Sequence, residues 1–114
     1  MDDLNATITQ IVDRLRELSV SRVIVFGSAH TARVHADSDI DIAVVLSEPE
    51  EFDSYDARLE ARSRIRAQLR DINRRVPIDI LLFTEQEFEA SLSEPGFVSE
   101  EIVGHGRTVY EKAS

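Results

Sequence analysis

"HADSDIDIAVVL", residues 35–46, joins two halves that want different surroundings. The second half is an apolar, β-branched run suited to a buried strand, yet the first half carries Asp37, Asp39 and Asp41. Side chains alternate faces along a strand, so Asp39, Asp41, Ala43 and Val45 share one face and Ile40, Ile42, Val44 and Leu46 share the other. The acids therefore head a face that turns apolar two residues later. Asp37 and Ser38 suit a turn, where Asp hydrogen-bonds to nearby backbone. Asp39 and Asp41, about 7 Å apart along one face, can also converge on a single cation.

Outward from this strand, "RVIVFGS" (22–28) reads as a buried strand ended by Gly27, and the ten residues "AHTARVHADS" separate its Gly-Ser from Asp39. Leu4, Ile8, Ile11, Leu15 and Leu18 predict an amphipathic helix over 3–18. Ala57, Ala61, Ile65, Leu69 and Ile72 predict a second, with Arg58, Arg62, Arg66 and Arg70 on another face beside acids such as Glu60. "VPIDILLF" (76–83) predicts a third strand, apolar on both faces except for Asp79 and the proline near its start. Thr84 with Glu87 makes a capping-box pattern for a short helix broken by Pro95-Gly96. Ser99 to Val103 predicts a last helical turn closed by Gly104, and "RTVYE" (107–111) an edge strand. The expected fold class is α/β or α+β, one small domain over 1–114 with a short mixed sheet flanked by helices.

The chain has 114 residues, of which 42% are apolar, enough for one core. It has no cysteine, which excludes disulfides and cysteine-rich metal sites. The start "MDDLNATITQ" has neither a basic end nor an apolar core, and no apolar run approaches the ~20 residues of a membrane span, so a cytoplasmic protein is expected, with no membrane partner. A net charge of −9, from 22 acids against 13 bases, argues against direct nucleic-acid binding as the main task but allows a small anion held through a metal.

Asp79 within an apolar strand needs a partner or a proton if it is buried. If that strand lies beside residues 39–46, three carboxylates gather, and at ~5 Å and an effective dielectric near 20 each pair repels by roughly 3 kcal/mol. A divalent cation relieves this, and oxygen ligands without Cys point to Mg²⁺ or Mn²⁺. A structural cation staple or an Arg-paired buried acid is the alternative. Gly27-Ser28 adds a strand-end turn whose N–H groups and hydroxyl suit phosphate oxygens.

The combination "FGSAHTARVHADSDIDIAVVL" with Asp79 in "VPIDILLF" resembles the signature of the nucleotidyltransferase superfamily related to DNA polymerase β. The length and the ending from Glu87 to Glu111 resemble its minimal, single-domain members. The resemblance implies that Asp39 and Asp41 bind the metal ions, that Asp79 completes the catalytic site and helps activate the attacking hydroxyl, and that Gly27 and Ser28 hold the phosphates of a nucleoside triphosphate, ATP being the expected substrate. Many members carry a basic residue soon after Gly-Ser and a glycine where this chain has Ala32; Arg33, His30 or His35 would replace that charge, Arg33 being assigned to the nucleotide. The resemblance further implies transfer of AMP to a hydroxyl on a partner, typically a small helical HEPN-domain toxin that the nucleotidyltransferase neutralises as antitoxin. A second reading keeps the fold and neutralises the partner by contact alone, and a homo-oligomer is left open.

Overall fold

Two β-branched runs form the centre of the sheet. Strand β1, Val20–Phe26, and strand β2, Ile40–Leu46, pair antiparallel, with Phe26 opposite Asp41 and Val25 opposite Ile42. Strand β3, Ile78–Thr84, joins β2 in parallel, and β4, Arg107–Glu111, joins β1 antiparallel, giving the order β3-β2-β1-β4. The sheet is mixed, as expected. The computed structural model describes residues 3–27, 40–47 and 55–112.

A parallel neighbour requires a crossover long enough to carry the chain back along the sheet. Helices α2, Tyr55–Gln68, and α3, Arg70–Arg75, supply it. With α1, Asp3–Leu15, they cover one face, where Ile8, Ile11, Leu15, Ile65, Leu69 and Ile72 close over Ile40, Ile42, Val44 and Leu46. The opposite face carries a smaller cluster in which Ile24, Phe26, Ala43 and Val45 lie under Phe88 of α4, Glu85–Leu92, and Ile102 of a π-helical turn, Val98–Val103. Phe83 meets Phe88 edge-on at 5.5 Å, a geometry worth about 0.5–1.5 kcal/mol beyond area burial. The alternation of residues 40–46 thus divides two cores between two helical layers, an α+β domain. Among the described residues no helix is long and apolar enough to cross a membrane.

Two helix boundaries differ from the periodicity, each for a local reason, and a third falls where the sequence puts it. Helix α1 ends at Leu15, three residues early, because Leu18 N–H bonds back to the Leu15 carbonyl at 2.9 Å and Val20 N–H to Leu18 at 2.8 Å, turning the chain into β1. The second helical stripe bends at Leu69, whose N–H is shared between the Ile65 and Arg66 carbonyls, both at 3.2 Å. Helix α4 stops at Leu92, before Pro95-Gly96: the Ser93 hydroxyl donates to the Ala90 carbonyl at 2.8 Å, and proline disfavours helical backbone in the residue before it. The capping box is present, with Thr84 Oγ1 accepting from Glu87 N–H at 3.0 Å and Glu87 Oε1 from Thr84 N–H at 3.1 Å.

The arginine stripe of α2 has a role that i,i+4 pairing with acids does not describe. Arg62 donates to the Ile80 carbonyl at 3.2 Å and Arg58 to the Leu82 carbonyl at 3.4 Å, so the outer edge of β3 is capped by side chains. Arg58 also pairs with Glu87, and Asn73 Oδ1 accepts from Ile78 N–H at 2.7 Å. Each such bond contributes about 0.5–1.5 kcal/mol net.

Candidate functional site

Asp41 and Asp79 are register partners on β2 and β3. Paired residues on neighbouring strands project to the same face, so two of the three acids singled out by the sequence stand side by side, on the face of the smaller core. Asp41 is half-buried and Asp79 is exposed. "VPIDILLF", apolar on both faces except for Asp79 and its proline, is an edge strand: Asp79 and Leu81 are exposed, and only Leu82 and Thr84 are buried. Near water the repulsion of two carboxylates ~5 Å apart falls to about 1 kcal/mol, against roughly 3 kcal/mol at an interior dielectric. A cation is therefore accommodated here rather than demanded by folding.

Gly27 ends β1 beside this pair with φ of 72°, a left-handed conformation that costs other residues. A Cβ built there would lie 2.5 Å from Asp41 Oδ2 and 3.4 Å from Asp41 Cγ. The glycine is thus required twice, for the turn and for the space into which the Asp41 carboxylate settles. On the other side of Asp41 stands Phe26, whose ring meets the half-exposed Phe97 edge-on at 5.7 Å and 84°. The sequence offered Phe26 only as a strand residue and gave no signal for Phe97, which reaches the site from the turn after α4.

Asp39, Ser28 and Arg33, with His30, His35 and the rest of "AHTAR", lie outside the described residues. Among the described residues no three His, Cys, Asp or Glu side chains come together, the acid pair being Asp41 and Asp79 alone. The groups that are described fit a divalent cation in chemistry: hard oxygen donors on one face, at a place where a missing Cβ leaves room for a carboxylate. Away from this site, Arg14 of α1 grips Asp71 of α3 through two nitrogens at 2.7 and 3.1 Å and holds its carboxyl at about 2, below the ordinary 3.8.

Comparison with known proteins gives one sequence family, described as polymerase beta nucleotidyltransferase, which matches residues 7–114. No curated protein matches the chain. Among solved structures, the fold is similar to that of a toxin-antitoxin crystal structure with AMP-PNP, at 20% identity over 97% of this chain and 75% of that one, with a TM-score of 0.51. A crystal structure of a mutant MntA-HpeT toxin-antitoxin is also similar, at 20% identity over 98% of this chain and 75% of that one, with a TM-score of 0.49.

Proposed function

The chain belongs to the polymerase β nucleotidyltransferase family, and from that premise we propose that it transfers AMP from ATP to a hydroxyl on a partner protein, acting in the cytoplasm as the antitoxin of a helical HEPN toxin. The observation that carries the reading is the register of Asp41 with Asp79, with Gly27 making room for the Asp41 carboxylate. Asp39, Asp41 and Asp79 would hold Mg²⁺ or Mn²⁺, and Gly27, Ser28 and Arg33 the phosphates. When bound, the metal would steady the charge of the triphosphate and make the acceptor hydroxyl easier to ionise.

The chain's own residues divide the remaining work. Asp41, half-buried and lying against Gly27, is the more enclosed member of the pair. Asp79, exposed at the sheet edge, is open to an incoming acceptor and suited to orient its hydroxyl and take up its proton. The exposed Asp79 leaves the site accessible to an acceptor carried on another chain. The toxin-antitoxin composition of the AMP-PNP structure with a similar fold supports a toxin as that chain.

The test is to identify whether a small helical protein is encoded beside it and, with that protein co-expressed, to measure the partner's intact mass. Addition of one or more AMP units is expected, and loss of that addition in Asp39→Asn combined with Asp41→Asn. If the double variant still protects cells and no nucleotide is found on the partner with either form, neutralisation is by binding alone and the transfer reading falls.

A further inference from the structure

Residues 55–76 carry seven arginines against three acids, in a chain whose net charge is −9. Most of these arginines are committed. Arg58 and Arg62 cap the β3 edge, Arg64 lies 3.9 Å from Glu60, and Arg75 donates to Gln10 at 3.1 Å. Arg66 and Arg70 are exposed, and their guanidinium groups make no polar contact among the described residues. Both line a groove of about 340 Å³ between the crossover helices and the start of β3, with Asn73 beside them and Leu69, Ile78 and Ile80 beneath.

The polar side chains of the groove have donors to offer. Asn73 spends its side-chain oxygen on Ile78 N–H, which leaves its amide N–H₂ group, and the Ile80 carbonyl is taken by Arg62. Guanidinium and amide donors therefore remain on the Arg66, Arg70 and Asn73 side chains. Such a set takes a ligand that only accepts, a carboxylate or a phosphate, and the arginine fork suits either. The apolar floor of Leu69, Ile78 and Ile80 selects between them, because it favours an anion carried on an aliphatic stem over the phosphates of a nucleic-acid backbone.

We infer that the Arg66–Arg70–Asn73 groove is a docking site for an acidic peptide segment of a partner protein, with Glu or Asp carboxylates on the two guanidiniums and their stems on Leu69, Ile78 and Ile80. The site lies on the opposite side of β3 from Asp79 and does not depend on the transfer chemistry.

Fluorescence anisotropy of a fluorescein-labelled hexaglutamate peptide titrated with the full chain, without metal or ATP, tests it separately from catalysis. Saturable binding is expected. Arg66→Ala combined with Arg70→Ala should weaken it by at least about tenfold. The corresponding double Lys variant should fall between, because it keeps the charge and loses the fork. Arg64→Ala removes the same charge outside the groove and should change affinity by less than about twofold. Should the double Ala variant melt early, the double Lys variant decides. Absence of hexaglutamate binding, an equal loss in Arg64→Ala, or equal affinity for a hexauridylate of matching charge would overturn the site. A concentration-dependent dimer that the double variant abolishes would assign the groove to a second copy instead and overturn the partner assignment.

Discussion

The Asp41 carboxylate rests against Gly27 so closely that a Cβ there would stand 2.5 Å from its Oδ2. Gly27→Ala therefore acts in two ways. The left-handed backbone should cost about 1–3 kcal/mol of stability. The carboxylate, being the end of a short side chain, can swing aside, so the collision itself falls on function. Urea unfolding should show the modest loss, while transfer activity should fall far more than the fraction unfolded explains. Proportional losses would mean that Gly27 matters for folding alone.

Asp79 should separate stability from metal binding. It is exposed, so Asp79→Asn should leave the unfolding free energy without ligand unchanged to within about 0.5 kcal/mol. In the unaltered protein millimolar Mg²⁺ or Mn²⁺ should raise the melting temperature by mass action, and Asp79→Asn and Asp41→Asn should each reduce that rise. A melting curve indifferent to both ions in the unaltered protein would remove the metal from the site.

The acid limb of stability should carry the mark of one ion pair. Arg14 lowers the Asp71 carboxyl from 3.8 to about 2, first through its hydrogen bonds. A carboxyl depressed in the folded state contributes stability above its unfolded value, and that contribution is lost as pH falls through the folded one. The difference in unfolding free energy between the unaltered protein and Asp71→Asn should therefore be constant above about pH 5 and shrink between pH 4 and 2. A difference that does not change over that window would show the pair to be inert.

The capping box at α4 gives a fourth measurement. Thr84 is buried and accepts from Glu87 N–H at 3.0 Å. Thr84→Ala should cost about 0.5–2 kcal/mol by denaturant unfolding. Thr84→Ser, which keeps the oxygen, should recover most of the cap, and equal losses in both variants would assign the cost to the methyl group's packing.

Much of the site's framework is legible in residues 39–46, because alternation assigns Asp41 to one face and Ile40 and Ile42 to the other before any partner strand is known. The third strand was harder. "VPIDILLF" states that many of its side chains are apolar, but not whether anything covers them, and Asp79 and Leu81 turn out to lie on the exposed side of an edge. The register that brings Asp79 to Asp41 has no local signal at all, since it is set by the length and docking of the crossover. The π-helical geometry of residues 98–103 was also beyond periodicity, because the bond that closes it, Gly104 N–H to the Ser99 carbonyl at 3.1 Å, spans five residues. The arginines spaced by four were visible, yet a stripe of charge does not say whether it faces water, acids or the carbonyls of a strand edge.

The parallel pairing of β2 with β3 also decides when the acid pair exists. Asp41 and Asp79 are thirty-eight residues apart in the chain and meet only through α2 and α3, so they are neighbours only in states where that crossover is docked. Closing so long a loop costs entropy that nothing local repays. A fluctuation that lifts α2 and α3 and releases β3 would therefore scatter the carboxylates while β1 and β2 remain paired, and a ligand that bridges Asp41 and Asp79 would hold the crossover down. Amide exchange along residues 55–84 should slow on binding, reporting the ligand at a distance from the carboxylates themselves.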